Sequence, residues 1–199
     1  MKKNILVLVL LLVFGFSAFS SNTSLGVAQN YTCTSVIVDT EFDRFGFEGS
    51  VGLPIVSGIF GAIDAATTGK EFQPLQFLLP GAMVNPYWKA VDGPKFQLRL
   101  GLQADVLVFI DKGSVQASGL LGTSLGFNHK FNEKFSMNFT LGCPLALPLS
   151  IISKDAATWT LFYFSSTTLD KDDIYKIIFG GIGCAFNQFA RISCKWALN

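Results

Sequence analysis

Charge is scarce in this sequence. Asp, Glu, Lys and Arg make up 15% of its 199 residues, against about 25% in ordinary soluble domains, so a conventional, densely charged surface is not available to it. The two signs nearly cancel, with 15 Lys and Arg against 14 Asp and Glu and no basic cluster, which leaves no electrostatic footprint for a nucleic-acid partner. Histidine occurs once, as His129, and one imidazole cannot build a multi-histidine metal centre. The four cysteines, Cys33, Cys143, Cys184 and Cys194, show no CxxC spacing, so neither a zinc ribbon nor a dithiol redox motif is written here. Phosphate loops, nucleophile elbows and paired-carboxylate sites are missing as well, and no cofactor is expected. Beyond residue 20 no apolar run reaches the roughly 18 residues that a transmembrane helix requires.

What is there begins with an export signal. Lys2 and Lys3 precede an uncharged apolar run, Ile5 to Phe19, and small residues follow, which is the layout of a secretory signal peptide. Ala18-Phe19-Ser20 makes 1–20 the removed segment, and Gly26-Val27-Ala28 is an alternative that puts cleavage as late as 28. Residues 29–199 then form a single domain. That domain is apolar in an unusual way: half of the residues are hydrophobic and the mean hydropathy is +0.44, yet the apolar mass is dispersed in alternation and not gathered into helical spans.

The alternation is plainest from Leu121 to Leu145. Leu121, Leu125, Phe127, Phe131, Phe135, Met137, Phe139 and Leu141 are apolar, and Gly122, Ser124, Gly126, Asn128, Lys130, Ser136, Asn138 and Thr140 between them are small or polar. A period of two is that of a strand with two different faces. Asn132-Glu133-Lys134 interrupts as a three-residue turn, and an odd loop keeps odd residues on one face of both strands. The same signature runs through Phe96 to Ile110 with a turn at Asp111-Lys112-Gly113-Ser114, through Phe45 to Leu53, and through Ile178 to Leu198 around Asn187-Gln188-Phe189. Strands are predicted near 41–53, 95–110, 115–131, 135–146, 157–165, 175–186 and 190–198, with an eighth in 72–90. The prolines of 54–94 and a short amphipathic helix at Ile59 to Ala66 mark that segment as the long connection. The fold class is therefore all-β: an antiparallel up-and-down barrel of about eight strands.

Such a barrel either hides its apolar face or turns it outward. Arg44, Glu48, Arg99, Asp105, Lys130, Arg191 and Lys195 all fall opposite the Phe/Leu/Val face, on a face otherwise made of Gly, Ser, Thr and Asn. Small polar residues suit a narrow interior, and mixed signs let the charges neutralise one another there. The expected arrangement is a transmembrane barrel with these seven charges as a lumen network, the Phe/Leu/Ile face against lipid, and Tyr87, Trp88, Trp159, Tyr163, Tyr175 and Trp196 as candidates for interfacial aromatic girdles.

The signal peptide, the Phe45-Gly46-Phe47-Glu48-Gly49-Ser50-Val51-Gly52 strand, the Gly126 to Ser136 hairpin and the strand-like C-terminus together resemble the small eight-stranded bacterial outer-membrane barrels of the OmpA, OmpX and OmpW types, over roughly residues 33 to 199. The resemblance implies an outer-membrane location, outer-membrane lipid as surroundings, and a non-enzymatic, porin-like role in passive transport of a small, apolar solute or in surface structure and adhesion to a host or surface ligand through the loops. Outer-membrane barrels that trim lipid A use a His with a Ser and an acid, whereas no Ser stands two residues beyond His129 and Glu133 lies in the turn. Leu75, Phe77, Leu78 and Leu79 in the long connection are candidates to plug the barrel or touch a ligand. Cys184 and Cys194 fall on one face of the expected last hairpin, where they either bridge as a disulfide or stand as small apolar residues. The competing reading is a secreted or periplasmic soluble barrel, lipocalin-like, with the apolar face turned inward around a small apolar ligand.

Overall fold

Alternating apolar and small polar residues form nine strands and two helices in the computed structural model, which describes residues 22–30, 33–69, 71–72, 81–111, 114–152, 161–164 and 190–198. In chain order these are β1 Asn22–Asn30, β2 Thr34–Glu41, β3 Phe45–Leu53, α1 Ile55–Thr68, β4 Gly81–Asp92, β5 Phe96–Asp111, β6 Ser114–Lys130, β7 Phe135–Pro144, α2 Ala146–Ile152, β8 Leu161–Phe164 and β9 Ala190–Ala197. Every pairing is antiparallel, and a ring closes in the order β1-β2-β3-β4-β5-β6-β7-β9. Eight strands thus enclose a barrel with no free edge at its waist.

β8 adds no ninth position to the ring. β7 pairs with β6 up to Pro144↔Gly122, and β8 resumes on the same side of β6 at Leu161↔Leu120. The chain leaves the wall at Pro144, forms α2, and returns to continue the track of β7. The 135–146 and 157–165 strands of the sequence reading are consequently one stave, where two were expected. The two missing staves lie upstream, in β1 and β2. The 175–186 strand lies outside the described residues, and the expected pairing of 190–198 with it gives way to another: β9 is bonded to β1 on one edge and to β7 on the other. Because β1 begins at Asn22, the barrel starts ahead of the 29–199 boundary, and cleavage at 28 would remove most of a stave. Residues 1–21, which hold the expected signal, lie outside the described residues.

The turn between β6 and β7 forms where Asn132-Glu133-Lys134 predicts it, with Asn132 Oδ1 accepting the backbone N–H groups of Lys134 and Phe135 at 2.9 and 2.8 Å. This Asx turn fixes the register Lys130↔Ser136. β5 and β6 pair from Phe96↔His129 to Asp111↔Ser114, bracketing the other expected turn, whose Lys112 and Gly113 lie outside the described residues. The helix extends beyond its expected bounds and stops at Gly69, which takes the left-handed conformation at φ 69°. The long connection is shorter than 54–94, because 81–92 forms the stave β4, whose register to β5 shifts by one residue between Lys89 and Val91. Pro86 is tolerated there since it faces outward and pairs with Phe47 of β3, while the ladder to β5 breaks off after Val84↔Ala104 and resumes at Tyr87↔Gly101.

Candidate functional site: the ion network inside the barrel

The period-two pattern decides which side chains enter the barrel. Glu48 from β3, Gln97, Arg99, Gln103 and Asp105 from β5, Asn128 from β6, Asn138 from β7, and Arg191, Ser193 and Lys195 from β9 are all buried, whereas Phe45, Val51, Leu100, Leu102, Phe139, Ile192 and Trp196 are exposed. The usual order is inverted: among the described residues the buried hydrophobic cluster consists of Ala28, Ile37 and Met83, and the buried polar and charged residues outnumber the buried hydrophobic ones.

Glu48 sits near the axis. Asn138, four staves away and therefore on the opposite wall, donates to its Oε1 at 3.2 Å. Lys195 Nζ reaches the same oxygen at 3.0 Å and Asp39 Oδ2 at 2.6 Å. Arg191 binds the other oxygen, Oε2, which Asn85 also approaches at 3.2 Å. Arg99 crosses from β5 to Asp39 at 2.8 Å, Glu48 at 3.3 Å and Glu41 at 2.5 Å. Glu41 in turn holds Lys89 at 3.3 Å. Four buried cations, Lys89, Arg99, Arg191 and Lys195, thus meet the carboxylates Asp39, Glu41 and Glu48, and a further buried carboxylate, Asp105, accepts from Gln103 at 2.7 Å. Among the described residues these four cations stand against four carboxylates, which matters because each ion taken out of water costs several kcal/mol unless its partners are in place.

Two glycines make the crossings geometrically feasible. Tyr87 on β4 donates to Asp39 on β2 at 2.7 Å, passing over β3 at Gly46, where an added Cβ would lie 2.2 Å from the tyrosine ring. The guanidinium of Arg99 stacks 4.5 Å from the centre of the same ring. Ser124 on β6 donates to Asn85 on β4 at 2.8 Å over Gly101 of β5, where a Cβ would come within 2.4 Å of Asn85 Oδ1. Each bond joins staves that are not neighbours, and the strand between them must be bare at that point.

Of the seven charges expected inside, Glu48, Arg99, Asp105, Arg191 and Lys195 are buried there, and all but Asp105 meet in one cluster. Lys130 is half-buried at the rim. Arg44 is not inside: β3 starts at Phe45, so Arg44 lies in the preceding turn and is exposed, and strand parity does not extend to it. Asp39 was missed because β2 was; Glu41 stood at the first position of the expected 41–53 strand but ends β2, and Lys89 lay in the expected eighth strand of 72–90, whose two faces were not assigned. In β2 the run Val36-Ile37-Val38 hides the alternation, since Ile37 points inward. In β4 the inward residues up to Lys89 are the odd-numbered ones, which places Tyr87 in the network and removes it from the girdle candidates. Trp88 and Trp196 are exposed on the outside. The placements of Trp159 and Tyr175 and the side chain of Tyr163 lie outside the described residues, as do Leu75, Phe77, Leu78, Leu79 and Cys184. Cys194 is a free thiol, and with β1 and β7 on its two edges β9 has no hairpin partner across which the Cys184 bridge was expected. His129 is exposed, stands opposite Met137 as the hairpin register requires, and packs edge-on against Phe131 at 4.7 Å.

A second feature lies at the end of the barrel that carries the β2–β3, β4–β5 and β6–β7 turns. A cavity of about 490 Å³ opens there, lined by Lys95, Lys130, Asn132, Glu133, Lys134 and Phe135 among others, with Glu41 at the edge of the ion network. Around this end, on the outside, Phe131 stacks on Phe135 at 5.5 Å and Phe135 lies 5.3 Å from Trp196, while Phe45 stands opposite Trp88 and Phe96 begins β5. Compared with protein-family models, with curated proteins and with solved structures, the chain matches none of them.

Proposed function

We propose that the protein is a non-enzymatic outer-membrane β-barrel whose role is structural or adhesive at the surface, exerted through the connections at the end that bears α1, α2 and the β5–β6 hairpin. One observation carries the membrane reading: the inversion of faces, with an ion network inside and exposed Phe, Leu, Ile and Val outside. Each large apolar side chain left in water forgoes about 1.5–3 kcal/mol of burial, so a wall of them is costly in solution and favourable in hydrocarbon. Among the described residues no helix is long and apolar enough to cross a membrane, and a closed barrel is the other structure that satisfies its backbone in lipid. The outward aromatics at the turn end, from Phe45 and Trp88 round to Phe135 and Trp196, fit an interfacial girdle, and short turns at one end with long connections at the other fit periplasmic and external sides.

The network favours a closed barrel over a pore. Bonds from Lys195, Arg191, Arg99 and Asn138 converge on Glu48 and leave the middle of the lumen filled by side chains. Passive transport of a small solute through the lumen is accordingly the weaker form of the proposal. The lipocalin-like alternative needs an apolar interior for its ligand, and the polar interior counts against it. The reading is tested by fractionation: the protein is expected to remain with membranes after carbonate washing and to migrate faster on gels before heating than after. Release into aqueous solution without detergent would refute it.

A further inference from the structure

One place on the outer wall is concave. Between β3, β4 and β5 a groove of about 550 Å³ opens on the outside, walled by Phe42, Phe45, Phe47, Pro86, Trp88 and Leu102. Its volume falls within the roughly 300–1,000 Å³ of small-molecule sites, and three sequence features create it. Gly46 and Gly101 thin the wall from within, and Pro86 breaks the β4–β5 ladder between Val84↔Ala104 and Tyr87↔Gly101. The side chains on either side, Phe45 paired with Trp88 and Phe47 paired with Pro86, stand as its rims.

Two exposed, oppositely charged residues adjoin the groove. Asp43 and Arg44 occupy the β2–β3 turn between Phe42 and Phe45, and neither enters an ion pair among the described residues. The neighbouring charges of the rim are already engaged: Lys89 holds Glu41 and Asp92 at 3.3 and 3.2 Å. An apolar, aromatic-walled groove whose lining residues Phe42 and Phe45 flank a turn with an exposed cation and an exposed anion, at the level of the outward aromatics, matches one ligand chemistry in particular. The groove takes an acyl chain, Arg44 a phosphate, and Asp43 an ammonium group.

We propose that this groove is a binding site for one zwitterionic phospholipid of the phosphatidylethanolamine class, seated from the leaflet at the turn end. The inference rests on the membrane reading above and adds a specific site to it. A guanidinium suits a phosphate oxygen through paired, charge-assisted hydrogen bonds, and a carboxylate suits a primary ammonium that still carries hydrogens. An anionic headgroup such as phosphatidylglycerol would satisfy Arg44 but leave Asp43 repelled, so selectivity between the two classes is the signature of the site.

The test is native mass spectrometry of the full chain in detergent, titrated separately with phosphatidylethanolamine and phosphatidylglycerol. Wild type is expected to retain one phosphatidylethanolamine at concentrations where phosphatidylglycerol is lost. Arg44→Ala should weaken retention about tenfold, the value of one hydrogen bond to a charged group, Asp43→Asn should abolish the preference between headgroups, and Leu102→Trp should fill the groove and remove the bound lipid. Leu102 is 61% exposed, so that variant is expected to keep its heat-modifiable migration. Equal retention of both lipids by wild type, or undiminished retention by a folded Leu102→Trp, would overturn the site while leaving the membrane reading intact. Release of the wild type by carbonate, with no lipid of either class retained, would overturn both.

Discussion

At the scale of single residues, Glu48 and Lys195 hold the interior together. Removing one member of a buried ion pair strands the other, at a cost of about 3–5 kcal/mol. Lys195→Met leaves Asp39 and Glu48 each short of a cation and is expected to destabilise the barrel by that amount, read as a lower urea midpoint of refolded protein in detergent. Glu48→Leu combined with Lys195→Met should cost less than the sum of the two single changes, because the cation and the carboxylate that face each other leave together and the equality of opposite charges is kept. Gly46→Val places a branched side chain where the Tyr87 ring lies. The ring must move, and its bond to Asp39 and its stack on Arg99 are lost, for an expected loss of about 2–3 kcal/mol in the same unfolding experiment. A Gly46→Val chain as stable as wild type would mean that the tyrosine does not cross the strand there.

At the scale of elements, the contrast between what was legible and what was not follows from how each strand carries its pattern. β5, β6 and β7 alternate cleanly, and their faces, their registers and the Asn132 turn could all be read directly. β2 could not, since Ile37 is apolar on the inward face and the run Val36-Ile37-Val38 resembles a buried strand of any kind. β1 was hidden by its position: Asn22–Asn30 follows an apolar leader and offers small residues that resemble a cleavage site. β4 was hidden by Pro86, which ordinarily argues against a strand and is accommodated here only because one ladder is broken. β7 and β8 were taken for separate staves because no sequence pattern reports that a chain leaves a sheet and rejoins it on the same track. The missed β2 accounts for Asp39, the unassigned faces of the strand expected in 72–90 account for Lys89, and the true boundaries, β2 ending at Glu41 and β3 starting at Phe45, account for Glu41 and for the misplacement of Arg44. β1 also yields a prediction. It is bonded to both β2 and β9, so deletion of residues 22–30 should open the ring and abolish the fast-migrating folded band on gels, and the intact mass of the exported protein should include Asn22 and all that follows it. A mature chain beginning after Ala28 that still gives the folded band would contradict this account of closure.

At the scale of the whole molecule, the sequence spends few charges, and seven of those among the described residues are buried inside the barrel. The wall is apolar outward, and the interior is held by ions whose partners come from strands far apart in the chain, such as Lys195 with Asp39 and Arg191 with Glu48. A barrel with such a centre is expected to pass no steady ionic current, so planar bilayers containing the wild type should show no more conductance than protein-free ones. The central claim is the direction of the two faces, and β5 is the place to measure it, because its inward and outward residues alternate without interruption from Gln97 to Val106. Nitroxide labels placed one at a time along this strand, in lipid vesicles and with the native cysteines replaced, report contact with oxygen dissolved in the hydrocarbon. The account predicts high oxygen accessibility at Leu98, Leu100 and Leu102 and low accessibility at Gln97, Arg99 and Gln103, with a period of two; the opposite phase, or no alternation, would contradict it.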